Sequence, residues 1–178
     1  MTDASSDLRG HLVALVFAAD EPLEIGDAAR VLGVRPRDVE AAARELAESP
    51  PTGLMLQRHA DALQLVTAPG SAEYIRRLRG LDTPSRLSKG ALEVLAIVAY
   101  RQPVTRADIE AIRGVNSDRA LTTLLTRGLV EEVGRKEAVG RPLLFGTTLS
   151  FLETMGLGSL DSLPRVAPVG AGEANGDE

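Results

Sequence analysis

The chain has 178 residues, 44% of them hydrophobic and only 3% aromatic, with no Trp, no Cys, two His and a formal net charge of −5. This provides for two small cores of Leu, Val, Ile and Ala rather than one large one, each near the lower size at which a domain folds unaided, and it favours a mainly α fold class. It excludes disulfides and Cys-based zinc or iron–sulfur centres, and the local balances of −4 over residues 1–83, +1 over 84–164 and −2 from Arg165 onward leave no basic tract on the scale that dominates DNA affinity.

Residues 1–7 are polar and acidic, and the apolar run at 12–19 is too short for a membrane span and lacks a basic flank. A soluble, cytoplasmic chain is the expectation. The first helix is expected over 8–19, stopping before Asp20-Glu21-Pro22 because proline disfavours helix at the residue before it. A short helix over 25–32 should end at Gly33, and a third should start at Pro36 and run to about Glu48 before Pro50-Pro51. Gly53 then opens a hairpin in which Leu54 and Leu56, and on the return Leu63 and Leu65, point inward around a turn at Asp61. A helix over about 71–78 and a Pro84-Ser85 connector complete this part.

The plan then repeats. Pro22 and Pro103, Asp27 and Asp108, Gly33-Val34 and Gly114-Val115, and Ala18 and Ala99 all stand 81 positions apart, with Val16 opposite Ile97 and Leu23 opposite Val104. A period this long marks duplicated domains, not a solenoid. In the second copy Ser88 is a natural N-cap, flanked by Leu87 and Leu92 as a hydrophobic staple, and Thr105 with Asp108 three residues on reads as a capping box. Asn116 should cap a third helix from Ser117 to about Arg127, closed by Gly128. Strands at 130–135 and 143–147 enclose a wing loop at 136–142, and a last helix is expected over about 149–155.

Three helices followed by a two-stranded wing is the winged helix-turn-helix order. The chain therefore divides into a first winged-helix domain at 1–80, a linker at 81–87, a second winged-helix domain at 88–164, and an acidic Gly-, Ala- and Pro-rich tail at 165–178 expected to be disordered.

The second copy resembles the segregation and condensation protein B (ScpB) family. The resemblance rests on Ala-Leu-Glu-Val-Leu-Ala-Ile-Val-Ala-Tyr-Arg-Gln-Pro-Val-Thr-Arg at 91–106, Ile-Arg-Gly-Val-Asn-Ser at 112–117, Gly-Leu-Val-Glu-Glu-Val-Gly-Arg at 128–135 and Gly-Arg-Pro at 140–142. It extends from about Leu8 to Pro164, looser before Leu87, and departs at Ala60-Asp61-Ala62, where the family more often has glycines. What it implies is a non-catalytic, homodimeric accessory subunit of a bacterial condensin-like complex. Such a subunit binds the kleisin ScpA and through it the SMC ATPase, lies in the cytoplasm at the nucleoid, and takes part in chromosome condensation and segregation.

The residues bear on that implication independently. The helix through Leu12-Val13-Ala14-Leu15-Val16-Phe17-Ala18-Ala19 is apolar on every face, as is the stretch 92–99, although a surface helix of a small domain needs only one apolar stripe. Either neighbouring elements or partners must cover the second side. Under the family reading, a dimer surface is expected at Leu12, Leu15, Val16 and Ala19, and kleisin contacts at Tyr100, Arg101 and Gln102 and at the wing residues Arg135 and Arg141.

The competing class is a winged-helix DNA-binding transcriptional regulator, in which the third helix reads the major groove. Here the third helices set Arg35, Arg37 and Arg44 against Asp38, Glu40, Glu45 and Glu48, and Arg119 and Arg127 against Asp118. DNA contact is therefore expected to be weak or confined to the assembled complex. An enzyme is disfavoured: Gly134-Arg135-Lys136 lacks the remaining residues of a phosphate loop, no nucleophile elbow occurs, and Glu131-Glu132 point to opposite faces of a strand. No cofactor, metal, membrane or small-molecule substrate is expected.

Overall fold

The computed structural model describes residues 4–80 and 86–165, so most of the expected linker and all of the tail beyond Arg165 lie outside the described residues. The elements run α1 (Ala4–Ala18), β1 (Leu23–Glu24), α2 (Ile25–Leu32), α3 (Pro36–Glu48), β2 (Leu54–His59), β3 (Ala62–Thr67), α4 (Ala72–Arg79), α5 (Lys89–Arg101), β4 (Val104–Thr105), α6 (Arg106–Arg113), α7 (Asp118–Thr126), β5 (Val130–Arg135), β6 (Leu143–Thr147) and α8 (Leu149–Met155). This is the winged-helix order twice over.

The internal repeat is spatial as well as sequential. β1 with α2 and β4 with α6 have the same bounds after a shift of 81, and β3 and β6 begin at the same shift. Between those marks the copies diverge: α3 has 13 residues and α7 has 9. The first hairpin closes through Ala60-Asp61 alone, with Ala60 at φ 50°, whereas the second closes through residues 136–142. The first copy puts its residues into a longer third helix, the second into a longer wing.

Each wing has three antiparallel strands, not two, in the orders β1-β3-β2 and β4-β6-β5. The turns at Pro22 and Pro103 lay Leu23 beside Leu63 and Val104 beside Phe145. A two-residue strand is too short for period-two alternation to reveal.

Leu12, Val16, Ile25, Val39, Leu46, Leu56 and Leu63 form the first core with four alanines. Val94, Leu95, Val98, Ile109, Leu121, Leu124, Val130, Phe145, Phe151 and Leu152 dominate the second. The small alanines of α2 and α3 let those helices approach closely, which is how a core without Trp reaches close packing.

The hydrogen-bonded capping signals at Ser88 and Thr105 hold, one helix boundary shifts, and Leu92 of the expected staple stays 49% exposed. The Ser88 hydroxyl accepts from the Ala91 amide at 3.2 Å. The Thr105 hydroxyl accepts from the Asp108 amide at 3.2 Å while the Asp108 carboxylate accepts from the Thr105 amide at 3.1 Å. Asn116 accepts from the Asp118 amide at 3.0 Å, but α7 begins at Asp118, one residue later than expected. The cause is Ser117, a buried residue whose hydroxyl accepts from Arg113 at 2.8 Å. Ser117 thus belongs to the turn, not to the helix.

Candidate functional site

Three surfaces collect the side chains singled out by the sequence. The first is the outer face of α1. Leu12 and Val16 are 0% and 5% exposed because they pack into the first core, so neither can serve the self-association surface expected of them. The helix period of 3.6 turns Ala14, Phe17 and Ala18 away from that core; Ala14 and Ala18 are exposed and Phe17 is 78% exposed. Leu15 and Ala19 are half-buried at its margin. An apolar outer face is thus present, centred on Phe17 instead of Leu12.

The second surface is a groove of about 800 Å³ in the second half. Ala96, Ile97, Ala99, Tyr100 and Arg101 of α5 and Ile112 of α6 line it together with Leu160, Asp161, Leu163, Pro164 and Arg165 of the C-terminal segment. The Tyr100 hydroxyl donates to the Pro164 carbonyl at 2.7 Å and fastens the C-terminal segment along α5. Tyr100 and Ile112 remain 42% and 56% exposed, so the groove is apolar and open, with guanidinium groups at its rim.

Gln102, expected beside them, turns inward instead. Its carbonyl oxygen accepts from the Thr147 amide at 2.7 Å and its amide donates to the Thr147 hydroxyl at 3.0 Å. Both ends of the side chain are thus taken up in joining α5 to β6. A β-carbon at Gly146 would stand 2.9 Å from the Val133 side chain and 3.0 Å from Gln102 Oε1, so a larger residue there would have to displace one of them. Sequence reading missed this bond because the 45-residue separation of Gln102 and Thr147 gives no periodic signal.

The third surface is the tip of the second wing. Arg135 donates to the Arg141 carbonyl at 3.1 Å, and Lys136 lies 3.6 Å from Asp108, tying the loop to the start of α6. Lys136, Arg135 and Arg141 are all exposed, with Lys136 leaning toward Asp108. The five expected kleisin residues thus fall into two groups, Tyr100 and Arg101 at the groove and Arg135 and Arg141 at the wing, with Gln102 in neither.

The third helices present little net charge. Arg35 binds Asp38 through both Nε and Nη2 at 2.8 Å, Arg58 lies 3.9 Å from Glu40, and Arg106 pairs with Asp118. Arg35 holds the Asp38 carboxyl below its ordinary range. On α7 the Thr123 and Thr126 hydroxyls donate to the Arg119 and Thr122 carbonyls at 2.8 and 2.9 Å. Hydroxyls engaged with their own helix are poorly placed to read base edges. Arg113 is 11% exposed at its side chain and bonds Glu93, Asn116 and Ser117, which makes it a brace between α5 and α6.

Comparison with known proteins now gives these surfaces a context. The model of the family described as Segregation and condensation complex subunit ScpB matches residues 10–166. Segregation and condensation protein B of Moorella thermoacetica is 48% identical over 177 residues, covering 98% of this chain and 90% of that protein. The protein of the same name from Symbiobacterium thermophilum is 51% identical over 159 residues, 87% of this chain and 72% of that one. Among solved structures, ScpB from Mycobacterium tuberculosis is 37% identical and aligns over 86% of this chain and 97% of its own, with a TM-score of 0.39.

Proposed function

The chain belongs to the family of segregation and condensation complex subunits named ScpB, and from that premise we propose a homodimeric, non-catalytic accessory subunit that binds the kleisin ScpA. It pairs through the first half, docks ScpA on the second, and through ScpA joins the SMC ATPase at the nucleoid. What carries the reading is the groove between α5, α6 and the segment 160–165: an open, mainly apolar trough, with Arg101, Arg165 and Asp161 as its charged lining, suits the apolar face of an amphipathic helix.

An acidic α3 and a charge-balanced α7 support protein docking over groove reading in DNA, since phosphate neutralisation normally supplies most DNA affinity. The wing tip, with Arg135 and Arg141 exposed, is the place where a phosphate backbone or an acidic partner would be met.

The test is binding of full-length chain to ScpA from the same organism. Wild type should form a stable complex, and Ile112→Glu with Arg101→Glu should weaken it by about tenfold or more, since a buried anchor residue commonly contributes this much. Both positions are exposed, so the variant should fold. Unchanged affinity in the double variant would remove the groove from the interface.

A further inference from the structure

The two copies differ in what lies against the outer edge of the wing. In a hairpin closed by two residues, alternate positions exchange bonds with the partner strand, and the backbone groups of Leu56 and Arg58 are directed to the open side of β2. An open edge of this kind is a template for another strand. In the first copy it is occupied. The Arg58 amide donates to the Gly158 carbonyl at 2.8 Å, and the Gln57 side-chain amide donates to the Leu157 carbonyl at 2.9 Å. Gln57 is fully buried, and its own oxygen accepts from Gln64 at 2.9 Å.

The occupying segment suits that edge. A β-carbon at Gly158 would stand 3.3 Å from the Leu56 carbonyl oxygen, and one at Gly156, which has φ 66°, would stand 3.0 Å from Pro69. Between the two glycines, the Leu157 side chain packs on the second core while its carbonyl reaches the first wing. In the second copy, residues 131–135 of the equivalent strand β5 are all exposed. Among the described elements, the extensive contact between the two halves is that of α8 with β2.

We propose that the outer edge of β2 is a docking site for an extended segment, that its occupant is the Gly156-Leu157-Gly158 strap of the same chain, and that this joint fixes the second winged-helix unit on the first. The joint is built of main-chain and amide hydrogen bonds, not of a broad apolar interface. It sets the spacing between the outer face of α1 and the α5 groove, and it stands independently of the ScpA reading.

The test uses full-length protein, amide hydrogen exchange and nitrogen-15 relaxation. In wild type the Arg58 amide should exchange about 100-fold more slowly than outward amides of β5, in keeping with a bonded against an open edge, and both halves should tumble with one correlation time. In Gly158→Val the Arg58 protection should be lost and two correlation times should appear, while the amides of Val39 and Val98 stay protected. If Gly158→Val fails to keep those core amides protected, Gln57→Met, which removes the donor to Leu157 and keeps the side-chain bulk, is judged by the same readouts. An unprotected Arg58 amide in wild type, or a single correlation time in a folded variant that has lost the strap bonds, would overturn the proposal.

Discussion

Asp108 accepts from both the hydroxyl and the amide of Thr105, and the hydroxyl is the main reason its carboxyl is held below the ordinary range; Lys136 adds a smaller pull in the same direction. A carboxyl depressed in the folded state contributes stability above the unfolded value, roughly pH 4, and loses it as pH falls through the folded value. Thr105 is buried, so Thr105→Ala should cost roughly 1 kcal/mol, the usual worth of an N-cap. It should also move the Asp108 titration upward, toward that of a free carboxyl. Denaturant unfolding and a carboxyl titration by nuclear magnetic resonance read the two effects, and an unmoved midpoint for Asp108 would show that Thr105 does not govern it. This pair was legible from its three-residue spacing alone. Gln57 was not, because a glutamine on a strand gives no sign that a segment 100 residues away will cover it.

At the level of elements, the bounds of α2, α3, β5, β6 and α8 follow from Gly, Pro and capping residues, all of which act within a turn of the boundary. What escaped local reading is contact between elements: the third strand of each wing, the inward turn of Gln102, and which side of α1 is covered. An apolar run on every face identifies a helix with two demands, but not which side its own core meets. The structure assigns Leu12 to the core and Phe17 to the outside. Leu12→Ala should therefore cost about 2–5 kcal/mol, as buried leucine truncations do. By contrast Phe17→Asp should keep the monomer folded, shift the mass of the particle in solution from dimer to monomer, and make the unfolding midpoint independent of protein concentration. A dimer that survives Phe17→Asp would place self-pairing elsewhere on the molecule.

For the whole molecule, the duplicated fold has diverged along its repeat. The first copy keeps a long third helix and a covered wing edge, whereas the second has a short third helix, an extended wing and an open groove. Winged-helix modules commonly place the third helix in the major groove. Here α3 sets Arg37 and Arg44 against Asp38, Glu40, Glu45 and Glu48, and α7 sets Arg119 against Asp118, so neither offers the positive field that such docking needs and both copies are read as surfaces for proteins. That reading joins the outer face of α1 and the α5 groove into one assembly: two chains paired through their first halves, with a kleisin seated on the second. Light scattering on full-length chain, alone and mixed with ScpA from the same organism, tests this most directly. The expected masses are twice that of one chain for the protein alone, and that of the dimer plus bound ScpA in the mixture. A chain that stays monomeric at tens of micromolar and elutes apart from ScpA would contradict it.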